Sequence, residues 1–283
     1  MRIVDYKFIK GTERENGVVV IPELDRNKLA ASQFIELAQL DPELTVPTAF
    51  IYIGGATVSQ SEAGLGTGNG VYFPAIKSGN AFCAHQWIKS FTCKEWIERM
   101  EVVDGTCAAG IRALQMAQEI LYDPSNDIKE VLILGHERIT AETQRLFKEL
   151  GIPVTCGDGF AYMRVAQGWD ICMVNWKWAY NINPFVFTRE SLDTLIPECS
   201  VGYVKLHGTG TESNTEAEAG LAELGTPVLY KPEIGHTQGI SALLETCMVL
   251  DDPKIRGRIL VTANGLGGYY GSFVLTKQNA RND

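Results

Sequence analysis

One cysteine of this chain lies where its neighbours suit it for accepting an acyl group. Cys107 stands in the sequence DGTCAAGIRAL, at the point where a strand-like segment gives way to a helical pattern. A thiol at a helix N-terminus gains from the positive end of the helix dipole and from free backbone N–H groups, and both favour the thiolate. Such a thiolate can attack a thioester carbonyl carbon and hold the acyl group covalently.

Two histidines and a lysine occupy two further motifs downstream of the cysteine. His207 begins the sequence HGTGT, and Lys231 and His236 lie in KPEIGHTQG. An imidazole can move a proton or donate a hydrogen bond to an oxygen on which negative charge develops. A Gly- and Thr-rich turn with one histidine can also be purely structural, so the meaning of each motif depends on the others.

Strand-like and helix-like segments alternate around these motifs, which is typical of an α/β protein. Strands are predicted at 48–54, 99–104, 131–135, 160–165, 171–178, 201–206, 227–230, 258–262 and 272–275. Helical patterns run from about 108 to 122 and from about 140 to 150. No linker-like stretch divides the chain, so we expect one large core or two fused smaller ones.

An internal echo links the cysteine to one of the histidines. The sequence CAAGIRAL, which begins at Cys107, aligns without gaps to HTQGISAL, which begins at His236. A strand-like segment precedes each copy and an apolar helix follows it. Chance similarity between two Ala- and Leu-rich helices is the alternative, but the shared order of elements favours a duplicated unit. A duplication would bring Cys107 and His236 to related helix N-termini.

The composition argues against several classes of protein. The 283 residues are 45% apolar and carry a formal net charge of −9, which disfavours a general binder of nucleic acid or anionic membranes. No window approaches the ~20 apolar residues of a membrane span, and the N-terminus does not resemble a signal peptide. Seven cysteines without a CxxC pair suit a reducing compartment, and four scattered histidines give no zinc-site spacing. We therefore expect a cytoplasmic protein with no cofactor and no metal.

Taken together, the motifs resemble those of the β-ketoacyl synthases, which are condensing enzymes of the thiolase superfamily. DGTCAA resembles their nucleophile motif, HGTGT and KPEIGHTQG match two others, and GLGG at 265–268 resembles their GFGG turn. The four motifs occur in the family's order, and the first ~100 residues show little that matches. The resemblance implies the layered αβαβα thiolase fold made of two similar halves. The half at 1–168 would carry the cysteine, and the half at 169–283 would carry both histidines and the lysine.

The resemblance also implies a nucleophile and an oxyanion hole. Cys107 would accept the acyl group. The backbone N–H groups of Cys107 and Leu266 would stabilise the oxyanion of the thioester. Gly265 and Gly267 flank Leu266 and would let the backbone approach closely.

The remaining roles fall to groups that handle charge and protons. By resemblance, His207 and His236 donate hydrogen bonds to the enolate oxygen or handle protons, and Lys231 acts through electrostatics and by orienting its neighbours. Glu218 lies where the family commonly has a glutamate and could pair with Lys231. An exposed charge on a helix is the alternative for Glu218.

The chain departs from the family pattern in several places. Leu266 replaces the family's gating phenylalanine, Tyr269 and Tyr270 replace a Thr-Asn pair, and Thr215 stands where an aspartate usually follows Asn214. The chain is also much shorter than is typical of the family. The residues that carry chemistry are kept, whereas loops that line the acyl channel in the family are expected to be missing.

The function implied is decarboxylative condensation of an acyl thioester with a malonyl-type thioester, in fatty acid or polyketide-type biosynthesis. The expected partners are an acyl carrier protein and a second subunit, in a homodimer or a ketosynthase heterodimer, with residues 101–104 near the two-fold axis. One alternative is a non-catalytic partner subunit like the chain-length factors, although these usually lack the cysteine. A non-condensing thioester acyltransferase or decarboxylase is the other. Thiolases have a second cysteine in a C-terminal CxG turn. The corresponding residues here, 263–268, contain no cysteine, which disfavours a thiolase.

Overall fold

The described part of the chain forms two five-stranded sheets and one two-stranded sheet, with helices packed between and outside the two larger sheets. A computed structural model describes residues 1–54, 73–104, 107–139, 141–149, 154–180, 187–265 and 267–277. The strands are β1 (Arg2–Lys10), β2 (Glu13–Glu15), β3 (Val18–Val20), β4 (Thr48–Gly54), β5 (Ile97–Asp104), β6 (Glu130–Glu137), β7 (Gly159–Ala166), β8 (Ile171–Trp178), β9 (Tyr203–Lys205), β10 (Thr226–Val228), β11 (Gly257–Gly265) and β12 (Tyr269–Lys277). The α-helices are α1 (Ala30–Ala38), α2 (Phe73–Ser90), α3 (Ala109–Tyr122), α4 (Ala141–Glu149), α5 (Arg189–Asp193), α6 (Glu212–Ala222), α7 (Lys231–Ile234) and α8 (Ser241–Asp251).

Two five-stranded sheets share one internal order. The first runs β1-β7-β6-β4-β5 and the second runs β10-β9-β11-β12-β8. If the strands of each sheet are numbered along the chain, both sheets read 3-2-4-5-1, and the fifth strand is antiparallel to both of its neighbours. The shared order is the structural counterpart of the echo in the sequence. The division at residues 168 and 169 falls between β7 and β8 and remains a prediction.

The sheets and helices stack in five layers. Helices α1 and α2 pack on the outer face of the first sheet, α3 and α8 lie between the two sheets, and α5 and α6 cover the outer face of the second sheet. This is the αβαβα arrangement that the sequence predicted. Strand β4 illustrates why a continuous apolar run suits it. Ala49, Ile51 and Ile53 belong to the central core, whereas Phe50 and Tyr52 pack against α1 and α2, so both faces need apolar side chains.

Helices α3 and α8, into which the two copies of the echo lead, cross in the middle layer. A Cβ atom on Gly110 would lie 2.9 Å from the backbone nitrogen of Leu243 and 3.0 Å from the Cβ of Ala242. The absence of a side chain at Gly110 therefore sets how closely the two helices approach. This close crossing brings the N-terminal ends of the two helices to one place.

Most predicted elements are confirmed, with shifts at their ends. Strands β4 and β8 have the predicted bounds, and β5, β6, β7, β11 and β12 extend the predicted segments by one to three residues at an end. Strands β9 and β10 are shorter than predicted. The N-terminal part contains elements that the sequence did not predict, namely β1, the β2–β3 hairpin, α1 and α2.

Two features of the fold bear on assembly. Strand β5 is an edge strand of the first sheet and pairs with β4. An edge position leaves backbone groups that a second chain could pair with, and the predicted two-fold axis near residues 101–104 remains a prediction. Among the described residues, no helix combines the length and apolar character that crossing a membrane requires.

Candidate active site

One small cavity brings the predicted nucleophile and both predicted histidines together. It has a volume of about 60 Å³. Its lining residues in the described part of the chain are Cys107, Phe147, Phe187, His207, Thr209, Thr211, Asn214, His236, Asn264 and Gly265. Residues from both halves of the chain therefore meet at one place, where a thiol and two imidazoles can act on the same small group.

Cys107 and His236 occupy equivalent positions ahead of the two central helices. Cys107 lies two residues before the start of α3, and His236 lies two residues before a 3₁₀ turn, Gln238–Ile240, that leads into α8. The predicted placement at related helix N-termini is thus confirmed. The first turn of α3 carries no acidic residue, and its N-cap residue Ala108 makes no side-chain cap. The positive end of the helix dipole therefore remains available to a thiolate or an oxyanion.

The hydrogen bonds of His236 determine which of its nitrogens carries the proton. Its Nδ1 accepts the backbone N–H of Gln238 at 2.9 Å and lies 3.1 Å from the Oγ of Ser241. An imidazole nitrogen that accepts a backbone N–H is unprotonated, so the proton of the neutral ring sits on Nε2. His236 is therefore held as an Nε2–H donor.

His207 lies in a turn that is held by a buried carboxylate. The backbone N–H groups of His207 and Gly208 donate to the two oxygens of Glu218 at 2.6 and 3.0 Å, and the side-chain amide of Asn214 donates to the same carboxylate. Glu218 is 3% exposed, so it is not the exposed helix charge that was the alternative. Burial raises the pKa of Glu218, while the bonds from Gly208 and His207 oppose that rise. Three donors to one carboxyl group indicate a carboxylate that orients the HGTGT turn.

Lys231 pairs with a carboxylate that the sequence analysis did not identify. Its ammonium group donates to Glu245 Oε1 at 2.7 Å and to the backbone carbonyl of His207 at 2.5 Å. The expected pairing of Lys231 with Glu218 is therefore wrong, because Glu218 is taken up by the turn and Glu245 stands closer. A second buried lysine, Lys205, donates to Glu245 Oε2 at 2.5 Å. One carboxylate thus serves two ammonium groups.

The two imidazoles are held neutral. Burial is the largest cause, and it lowers the pKa of both His207 and His236 well below the ordinary 6.5. The ammonium groups of Lys231 and Lys205 lower both values further. The ring centroids are 5.2 Å apart and the rings meet edge to face at 78°. Near neutral pH each ring therefore offers one N–H donor and one acceptor nitrogen.

A backbone pairing between two distant segments positions His236. The N–H of Gly157 donates to the carbonyl of His236 at 3.1 Å, and the N–H of His236 donates to the carbonyl of Thr155 at 2.7 Å. A Cβ atom on Gly157 would lie 1.9 Å from the carbonyl oxygen of Ile234, so only glycine fits. Gly235, with φ of 73°, turns the chain at the same contact. The close approach of the two segments and the positive φ together explain the first glycine of KPEIGHTQG, Gly235.

The C-terminal glycine turn borders the cavity through Gly265. Leu266, the predicted second oxyanion donor, lies outside the described residues. Gly267 has φ of 84°, a left-handed conformation that favours glycine, and its carbonyl accepts the indole N–H of Trp178 at 2.8 Å. The part of this turn that the structure describes is therefore a tight glycine turn anchored to β8.

Several cavity residues were not predicted. Phe147 on α4 lies with its ring centroid 6.1 Å from that of His236, and Phe187 contacts the ring of Tyr270. Asn264 donates to Asn214 at 3.1 Å and continues the chain of polar contacts that begins at Glu218. Glu245 was not predicted either; it does not line the cavity but pairs with Lys231, and its signal in the sequence is that it is the one charged residue in the apolar run SALLETCMVL.

Among solved structures, this chain is similar to ketosynthases. A ketosynthase from module 6 of the bacillaene synthase of Bacillus subtilis is 14% identical and has a TM-score of 0.62, over 84% of this chain and 55% of that one. A structure of a type II polyketide synthase acyl-carrier protein in complex with its ketosynthase matches at 16% identity with a TM-score of 0.60. The match covers 93% of this chain and 88% of that one. The ishigamide ketosynthase/chain length factor is 15% identical with a TM-score of 0.65, over 93% of this chain and 87% of that one.

These likenesses show the fold. The chain spans about half the length of the bacillaene ketosynthase. No protein-family model matches the sequence, and no curated protein matches it. At these identities the fold is that of the ketosynthases, the thiolase fold that the motifs predicted, and activity has to be argued from the site.

Proposed function

We propose that this protein is a β-ketoacyl synthase that takes an acyl group onto Cys107 and joins it to a malonyl-type carrier thioester with loss of carbon dioxide. One observation carries the proposal. Cys107, His207 and His236 are far apart in the sequence, yet they line the same cavity of about 60 Å³. A thiol nucleophile beside two neutral N–H donors is the set of groups that acyl transfer followed by enolate formation requires.

The first step is transfer of the acyl group. The Cys107 thiol gives up its proton, and the thiolate attacks the carbonyl carbon of the acyl thioester. The bond from that carbon to the carrier sulfur breaks, and the carrier leaves as a thiolate that takes up a proton to become a thiol. The positive end of α3 favours the thiolate before the attack and the oxyanion during it. The backbone N–H of Cys107 is one proposed oxyanion donor, and that of Leu266 is the other.

The second step forms the carbon–carbon bond. The extender loses carbon dioxide, and the electrons of the broken bond pass into its thioester carbonyl to give an enolate. The Nε2–H of His236 and the imidazole of His207 stabilise the enolate oxygen by hydrogen bonding. The enolate carbon then attacks the acyl carbonyl carbon, and the bond to Cys107 breaks, which restores the thiolate.

The proposed source of both thioesters is an acyl carrier protein, in fatty acid or polyketide-type biosynthesis. A ketosynthase of this fold has been solved with its carrier protein bound. A homodimer or a ketosynthase heterodimer would form through the edge strand β5, whose outer side pairs with no other strand of the part of the chain that the structure describes.

A second candidate is a partner subunit that does not itself condense. The likeness to the ishigamide ketosynthase/chain length factor favours it, and the retention of a cysteine beside two histidines disfavours it. A thioester acyltransferase or decarboxylase shares the first step or the loss of carbon dioxide but makes no carbon–carbon bond. The three functions differ in whether Cys107 becomes acylated and in whether a product with a longer chain appears.

Intact-mass analysis with short-chain acyl and malonyl carrier thioesters separates these candidates. We expect one acyl adduct, which is lost in Cys107→Ala and kept in Cys156→Ala. Cys156 is the matched control, because burial raises its pKa to about 12 and keeps its thiol protonated. In His236→Ala the adduct should form while condensation falls by about 10²-fold or more. Acylation at another cysteine would refute the assignment of Cys107. Acylation without any condensed product would favour the acyltransferase.

A further inference from the structure

Lys205 is a fully buried lysine beside the candidate active site that the proposed mechanism leaves unused. It ends β9, two residues before His207. Side chains alternate along a strand, and Val204 and Leu206 pack in the outer core with α5 and α6. Lys205 therefore points to the inner face, where its Nζ lies 2.5 Å from Glu245 Oε2.

Fold stability gives little reason to keep a charge here. Lys205 is 0% exposed, and so is Glu245. Removing two charges from water costs several kcal/mol for each ion, and a well-packed apolar pair of similar volume is often as stable or more stable. A buried ion pair next to a reactive cavity is therefore more readily explained by its effect on the cavity than by its effect on the fold.

The ion-paired cluster of Lys205, Lys231 and Glu245 carries a net charge. Glu245 carries one negative charge, and the ammonium groups of Lys205 and Lys231 bind its two oxygens at 2.5 and 2.7 Å. With Lys231 alone the cluster would be neutral, whereas Lys205 leaves it one positive charge in excess. The ammonium group of Lys231 also donates to the backbone carbonyl of His207 at 2.5 Å, so the cluster lies next to the residue that carries one of the two imidazoles.

We propose that Lys205 is a positioning residue that gives the ion-paired cluster of Lys205, Lys231 and Glu245 a net positive charge beside His207 and His236, so that Glu245 does not neutralise Lys231. The excess charge disfavours a second proton on either imidazole, so both remain neutral N–H donors. It also stabilises negative charge that develops on an oxygen in the cavity. This role deepens the proposed condensing function and rests on it.

The surroundings of the imidazoles contain other titratable groups. Those around the cavity are Cys107, Cys156, Lys205, Glu218, Lys231 and Glu245. Glu218 is held by the N–H groups of the HGTGT turn and forms no ion pair with Lys205 or Lys231 in the described structure, although both ammonium groups act to lower its pKa. Burial lowers the pKa of Lys205, and the Glu245 carboxylate raises it and keeps the pair together.

The imidazole pKa values test the proposal without any need for activity. In Lys205→Met, which keeps the length of the side chain but not its charge, the imidazoles of His207 and His236 should titrate at a pH higher by about one unit or more. The measurement is ¹⁵N NMR of the histidine rings from pH 8 down to the lowest pH at which the protein stays folded, assigned with His207→Gln and His236→Gln. Lys205→Arg keeps the charge and should restore the wild-type titration. If Lys205→Met does not fold, Lys205→Gln, which retains a donor for Glu245, takes its place.

The matched control is Lys277→Met. Lys277 is a partly buried lysine that donates to the carbonyls of Val249 and Asp252, and it lies at the other end of the β11–β12 pair from Gly265. This variant should leave both imidazoles unchanged. Unchanged imidazoles in the folded Lys205→Met or Lys205→Gln protein would overturn the proposal.

The rate of condensation separates this proposal from the proposed function. At pH 8 the rate should fall by about tenfold in Lys205→Met, and the acid side of its pH profile should move to higher pH together with the imidazole pKa values. Shifted imidazoles in a protein whose wild type never condenses would support the charge role of Lys205 and refute the synthase. A wild-type enzyme that condenses, with a pH profile that Lys205→Met does not move, would refute the charge role alone.

Discussion

The HGTGT turn depends on one buried carboxylate, and removing that carboxylate gives a sharp test of the site. In Glu218→Ala the backbone N–H groups of His207 and Gly208 lose the oxygens that lie 2.6 and 3.0 Å from them. The side-chain amide of Asn214 loses its acceptor as well. His207 itself is 3% exposed, so water has little access to replace the missing oxygens.

The cost follows from the number of donors left unpaired. Each buried N–H group without a partner costs about 1–3 kcal/mol, so the two backbone groups together give a loss of about 2–6 kcal/mol in the free energy of unfolding. For a chain of this size, each kcal/mol lowers the melting temperature by roughly 2–4 °C, so a drop of at least about 4 °C is expected. Because the turn holds His207, condensation should fall by about tenfold or more even below the melting temperature.

A neighbour on the same helix provides the control. Glu216 lies two residues away on α6 and is exposed, so Glu216→Ala removes the same charge from the same helix without removing an acceptor for the turn. Urea denaturation, thermal melting and condensation assays of both variants would measure the difference. If Glu218→Ala melts within about 1 °C of Glu216→Ala and condenses at the same rate, the turn is not held by this carboxylate.

Two further predictions concern burial and close approach. Burial lowers the pKa of His136 to about 3, whereas the unfolded chain titrates near 6.5, so stability falls by up to ~1.4 kcal/mol per pH unit below 6.5. Between pH 6.5 and 5, urea denaturation should therefore show a loss in the free energy of unfolding that is about 2 kcal/mol smaller in His136→Gln than in the wild type. Exposed His85→Gln should lose as much as the wild type. Equal losses in His136→Gln and the wild type would contradict the neutral buried form. Gly157→Ala places a Cβ atom 1.9 Å from the Ile234 carbonyl oxygen, so it should destabilise the fold by about 1–3 kcal/mol and slow condensation, and full activity would show that the contact can relax.

The sequence by itself determined the class of fold and pointed to the cysteine and two histidines that line one cavity. Apolar runs such as TAFIYIG can be buried on both faces only in a covered sheet, which is why β4 was predicted at its observed bounds. The echo between CAAGIRAL and HTQGISAL placed Cys107 and His236 at equivalent helix ends, because a duplicated local pattern folds into a duplicated local structure. Local periodicity and motif order carry this information, and both are properties of neighbouring residues.

The tertiary structure alone decided the partners of those residues. Strand β1 pairs antiparallel with β7, and the mixed polar pattern RIVDYKFIK reflects an edge position that only the completed sheet defines. Lys231 was expected to pair with Glu218, but it pairs with Glu245. The fold places Glu245 of α8 between Lys205 at the end of β9 and Lys231 at the start of α7. Phe147 reached the cavity from a helix in the other half of the chain. Hydrogen bonds and ion pairs act over a few ångströms, so which distant segments meet decides them, and spacing along the chain does not.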